Sequence, residues 1–163
     1  MNISNLSQEQ KEAGRKKSLG ELGELFGIKA LVDKKFEKIV NINDIKNNYP
    51  FADLYAEKGG KKYVISIKAR NKYQKNGTLN SRYKLGSNVY SHASRAEDEH
   101  DAEAYWMAVQ FDKKTVSIYF GPLAELNQSN GIPIRKCENG TVGECLVEDK
   151  KHYFDFSYFD NKE

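Results

Sequence analysis

The chain has 163 residues, 39% hydrophobic and 30% charged, with ten Tyr, eight Phe and three Pro, a composition that excludes a disordered chain and makes one domain over 1–163 the default. The first residues, MNISNLSQEQKEAGRKK, lack the apolar core of a secretory signal, and no run approaches a membrane span, so a cytoplasmic protein is expected. The net charge of +3 is unevenly spread: no acid lies between Lys58 and Ala96, a stretch that holds 10 of the 26 Lys and Arg, whereas the remainder carries 16 against 23 Asp and Glu.

In chain order, Ser7 and Gln10 fit a capping box, and Leu19, Leu22, Leu25, Phe26 and Leu31 form an apolar stripe at helical spacing, which predicts a helix from about Gln8 to Leu31. Residues 1–15 are expected to be a helical or frayed N-terminal extension. Gly20, Gly23 and Gly27 recur at three- and four-residue steps, an arrangement that lowers helix propensity but lets a neighbour approach closely. A strand is expected over Lys35 to Ile42, then an Asn- and Asp-rich loop to Tyr49.

Residues 50–70, PFADLYAEKGGKKYVISIKAR, read as a hairpin of strands at Pro50 to Ala56 and Tyr63 to Arg70 around Gly59-Gly60. A turn centred on those glycines sets Asp53 opposite Ser66 and Phe51 opposite Lys68. The two-residue strand period puts Val64, Ser66 and Lys68 on one face, so Asp53, Ser66 and Lys68 are expected to cluster. A register slip of one residue would turn Asp53 to the other face.

A basic and aromatic loop from Arg70 to Leu85 follows, then a helix from Asn88 to Ala104 capped by Ser87. Tyr105 to Phe111 and residues 115–120 read as a second hairpin, Pro122 to Leu126 as a short helix, and HYFDFSYF at 152–159 as a late strand. Tyr105, Trp106 and Phe111 are assigned to the core. His92 and His100, on a helix with Glu97, Asp98, Glu99 and Asp101, are read as a solvent-facing patch. Cys137 and Cys145 lack zinc-site spacing and are expected to be reduced thiols. Helix, three strands, helix, two strands and an irregular end give a mixed β-sheet flanked by helices, an α/β or mixed α+β class. The cation-rich segment fits a phosphate-backbone partner, because each cation that neutralises a phosphate releases counterions; a solvated face is the alternative.

Taken together, Gly20-x-x-Gly23-Glu24 on a helix, Pro50-Phe51-Ala52-Asp53 opening one strand and Ser66-Ile67-Lys68 on the next resemble the motifs of the PD-(D/E)xK nuclease superfamily. The similarity spans roughly residues 15 to 120. It implies a restriction endonuclease-like fold and Mg2+-dependent hydrolysis of DNA phosphodiesters, with Mn2+ as a substitute metal, in a restriction, repair or mobile-element context. By resemblance Asp53, the Ile67 carbonyl and Glu24 would hold the metal, Lys68 would stand beside the attacking water or scissile phosphate, and a homodimer is an option. Arg70, Lys72, Lys75, Arg82 and Lys84 would grip the backbone, with Tyr73 and Tyr83 against sugars or an exposed base.

The sequence departs from that pattern at Ser66, where the family usually has Glu, Asp or sometimes Gln. A neutral oxygen there weakens metal affinity, and Glu21, three residues before Glu24, could supply the missing charge. A second function class follows: a catalytically impaired nuclease-fold module that binds nucleic acid or a protein partner. An unrelated interaction domain would instead leave Asp53 and Lys68 apart.

Overall fold

The structure, a computed structural model, describes residues 5–46, 48–152 and 154–159. Residues 1–4 of the expected N-terminal extension lie outside the described residues, as do 47, 153 and 160–163.

Helix α1 (Gln8–Asp33) starts at the predicted capping box: Ser7 Oγ accepts the Gln10 N–H and Gln10 Oε1 accepts the Ser7 N–H. Strands β1 (Glu37–Asn41), β2 (Leu54–Lys58) and β3 (Lys61–Asn71) follow, then helix α2 (Val89–His100), strands β4 (Glu103–Asp112) and β5 (Thr115–Pro122), the short helix α3 (Ile134–Glu138) and strand β6 (Glu144–Lys151). The six strands lie in one sheet in sequence order, antiparallel except for β3 beside β4. That one parallel pair needs a crossover, which α2 provides.

The two faces of β3 feed two cores. Tyr63, Ile65, Ile67 and Ala69 join the core under α1, and Val64 joins the core under α2 with Trp106, Ala93 and Ala96. Two of the four glycines of α1 are explained by the first packing. A methyl on Gly23 would overlap the Ala69 side chain, and one on Gly27 would come to 2.9 Å from Met107 Sδ and 3.1 Å from Ile67 Cδ1. Helix and sheet therefore touch at a distance that only glycine permits.

Several expectations change. Strand β2 begins at Leu54, because Ala52 N–H bonds to the Pro50 carbonyl at 2.9 Å in a turn and Phe51 has a φ of 69°. Phe51 is thus no ladder partner of Lys68. Helix α2 stops at His100, and its first cap is Asn88 in the left-handed region, not Ser87. The late strand is β6, antiparallel to β5, whereas Phe156–Phe159 is a 3-10 turn with Phe156 in the core against Phe26 and Phe111. His100 is not a solvent-facing residue: its ring lies 5.7 Å from that of Tyr49 and 6.0 Å from that of Tyr55. Trp106 and Phe111 are buried as expected, while Tyr105 is half-buried at the core margin. Cys137 and Cys145 are both unpaired thiols.

Candidate active site

The β2–β3 ladder has the predicted register, with Leu54 opposite Ile65 and Tyr55 opposite Val64. Beyond its last pair the Asp53 side chain continues the ladder: Oδ2 accepts the Ile67 N–H at 2.7 Å, while the Asp53 N–H goes to the Ile65 carbonyl at 2.8 Å. Along a strand the N–H and C=O of one residue face the same neighbour, so the Ile67 carbonyl points to the Asp53 side. Lys68 and Ser66 line one depression with Asp53. Ser66 is buried, at 4% exposure, so the position where the family carries an acid is filled by a small neutral side chain inside the fold.

Glu24 reaches the same place from α1. Gly23 sits against Ala69, so the residue next to it is pressed onto the end of the hairpin. Its carboxylate accepts two amides: Asn43 Nδ2 donates to Oε1 at 2.8 Å and Asn41 Nδ2 to Oε2 at 3.3 Å. The same Asn43 nitrogen also donates to Asp53 Oδ1 at 3.2 Å, so those two carboxylate oxygens can be no farther apart than the sum of the two bonds. A one-turn 3-10 helix, Ile42–Asp44, holds Asn43 there; Asn41 Oδ1 accepts the Asn43 N–H at 3.0 Å, and the Ile42 N–H donates to the Asp53 carbonyl at 2.9 Å. Neither asparagine was singled out in the sequence, because nothing in an Asn-rich loop marks which member will turn inward. Glu21 is exposed and does not line the cleft, so Glu24 is the helix acid that the fold brings in.

The electrostatics are those of a negative pair short of cation. Burial raises the Asp53 carboxyl above its ordinary range, opposed by the Ile67 and Asn43 hydrogen bonds and the nearby Lys68 charge. Burial also raises Glu24, with its two asparagine bonds opposing and the Asp53 charge adding to the rise. Lys68 is pushed below its ordinary value by burial, with Asp53 pulling it back. Among the described residues no three His, Cys, Asp or Glu side chains come together as a metal group. Two carboxylates and a carbonyl nonetheless form an all-oxygen set, which fits Mg2+, a cation that takes one or two carboxylates and keeps several waters.

From this cluster a cleft of about 550 Å3 runs between α1 and the segment after β3, lined by Lys68, Arg70, Lys75 and Arg82 on one side and Arg15, Lys16 and Glu12 on the other. Glu12, Lys16, Gly20 and Glu24 follow each other at four-residue steps, the spacing of one helix face, and all four line it. That spacing, counted back from Glu24, would have found Lys16; it was overlooked because α1 lies outside the acid-free segment. Arg70 is anchored, its Nε donating to the Arg82 carbonyl at 3.0 Å. Lys72 and Lys84 do not line the cleft: Lys72 lies past the end of β3, its ammonium 5.7 Å from the Tyr73 ring centre, and Lys84 is exposed in a bridge to Gly131. Tyr83 is fully buried and cannot stack on a base, whereas Tyr73 is 48% exposed and lines the cleft.

These elements, a mixed sheet with the hairpin β2–β3 carrying Asp53 and Lys68 and a helix bringing Glu24, give the chain the restriction endonuclease-like fold. Among solved structures it is similar to Hjc, a Holliday junction resolvase from the archaeal hyperthermophile Archaeoglobus fulgidus: the TM-score is 0.53 at 16% identity, over 73% of this chain and 92% of that one. No protein-family model matches the sequence, and no curated protein matches it.

Proposed function

We propose that this protein is a Mg2+-dependent endonuclease that hydrolyses DNA phosphodiester bonds. The observation that carries the reading is the convergence of Asp53, Glu24 and Lys68 at the end of a cation-lined cleft. Asp53, Glu24 and the Ile67 carbonyl hold the metal, for which Mn2+ can substitute. A bound divalent cation supplies polarisation of a phosphoryl oxygen and a lower pKa for coordinated water. Asn43 orients both carboxylates. Lys68 stabilises the negative charge that develops on the phosphate oxygens, and its half-buried position strengthens that interaction. Arg70, Lys75 and Arg82, joined by Arg15 and Lys16, hold the strand by its phosphates.

Hydrolysis is tested by incubating supercoiled circular DNA and end-labelled single strands with Mg2+ or Mn2+, beside EDTA. Cutting that needs the metal and is lost in Asp53→Asn supports the reading. Uncut DNA with either metal refutes activity of this chain on its own.

One observation favours a second reading. The buried, neutral Ser66 leaves the metal one carboxylate short of the family pattern, as expected of a nuclease-fold module that binds nucleic acid without cutting it. Ser66→Glu separates the two: it restores cutting to an impaired module, and gives no more than tighter metal binding in a competent one.

A further inference from the structure

A second depression, of about 430 Å3, adjoins the basic cleft and is lined by Tyr49, Phe51, Leu85, Ser66, Asn43 and Asn48. Asp53 and Lys68 border both. Apart from the Asp53 and Lys68 that they share, the two differ in chemistry: charged side chains, mostly cations, line the first, whereas two aromatic rings, a leucine and neutral polar side chains line the second. Both rings are half-buried, resting on the core under α2 and reaching the cavity at the same time.

Their placement is imposed by the backbone. Phe51 has a φ of 69°, a conformation that a bulky side chain adopts only where its surroundings require it, and such strain gathers at functional sites. Tyr49 is fixed at its far end, its hydroxyl donating to the Glu99 carboxylate, with the Lys46 ammonium 5.7 Å from its ring centre.

A nucleotide has the same two-ended chemistry, an anionic phosphate and a flat aromatic base. We propose that the depression lined by Tyr49, Phe51 and Leu85 is a subsite for one unpaired nucleobase of the strand whose phosphate lies at Lys68, an inference that rests on the nuclease reading above. The base stacks on the aromatic rings while the backbone continues into the cation-lined cleft. A base inside an intact duplex cannot make that contact without leaving its stack. The substrates favoured are therefore single strands, and duplexes with an unpaired or extruded nucleotide beside the cut.

The test uses the full chain with Ca2+ in place of Mg2+ and single-stranded oligonucleotides carrying one 2-aminopurine walked through successive positions. Label anisotropy reports binding and 2-aminopurine fluorescence reports the environment of the base. One position should change its fluorescence on binding. Phe51→Leu should abolish that change and weaken binding about tenfold, within the range of one base stacked on one ring. Phe51→Tyr, which keeps the ring, should retain both. An abasic residue at that position should bind the wild type and Phe51→Leu equally, a result that loss of folding would not produce. If strands bind with a salt dependence that Arg82→Ala flattens, yet no position depends on residue 51, the base subsite is refuted and the nucleic-acid reading stands. Absence of any binding overturns both.

Discussion

The Ile67 backbone N–H donates to Asp53 Oδ2 at 2.7 Å, so a carboxylate stands where the β2–β3 ladder runs out. Asp53 thus has a structural bond and, on the present account, a catalytic one, which two substitutions separate. Asp53→Asn keeps an acceptor for Ile67 and should lose all cutting with Tm unchanged or raised. Asp53→Ala strands the N–H, at about 1–3 kcal/mol, and should lose cutting and several degrees of Tm. Equal Tm in the two variants would show that the bond contributes nothing.

The pH dependence of stability has a definite sign. Asp53 and Glu24 hold their protons above the ordinary values of 3.8 and 4.5, chiefly through burial. Across the window that starts at those values and extends upward, the folded protein binds more protons than the unfolded chain, so stability of the metal-free protein falls as pH rises. Melting in EDTA, referred to Asp53→Asn, should show this fall. Mg2+ displaces the protons, so its increment in Tm should grow over the same window; an increment that shrinks with rising pH would contradict the assignment.

Of the glycines of α1, Gly23 leaves the least room for a methyl, because Ala69 of β3 packs against it. Gly23→Ala should destabilise by about 1–3 kcal/mol through overpacking, despite the gain in helix propensity, and should reduce cutting by displacing Glu24. The double variant Gly23→Ala/Ala69→Gly should recover most of the loss, read as coupling in a double-mutant cycle. Gly14, which has open space around it, supplies the control: Gly14→Ala should be neutral or stabilising.

Cations that line the cleft should act differently from those that do not. Lys16→Ala and Arg82→Ala should each weaken binding similarly across sequences and lower the salt slope by about 1. Lys84→Ala, outside the cleft, should change neither quantity by as much. Equal effects from all three, measured by titration at several salt concentrations, would point to a diffuse field in place of a strand path.

The parts legible in the sequence were those governed by local rules. Ser7 and Gln10 announce α1 by the chemistry of a cap, and a Gly-Gly turn with period-two alternation fixes the hairpin register, hence the side on which Asp53 and Lys68 meet. Strand β6 was missed because seven of its eight residues stay at least partly exposed at the sheet edge, so main-chain bonding to β5, not an apolar face, holds it. HYFDFSYF misled for the converse reason: its segment Phe156–Phe159 is a 3-10 turn, and Phe156 plugs the core. Asn43 joins the site only through tertiary approach of a loop, which no local pattern encodes, whereas Lys16 shares the helix face of Glu24 at four-residue steps and is legible once Glu24 is placed.

The account is tested most directly by the single-turnover rate of cleavage of end-labelled DNA in Mg2+ by wild type, Glu24→Gln and Lys68→Met, each shown by melting to be folded. Wild type should cut, Lys68→Met should fall by about a hundredfold or more, and Glu24→Gln should be slow but partly recovered by raising the metal concentration. Cleavage that persists unchanged in Lys68→Met would place the chemistry elsewhere and contradict the central claim.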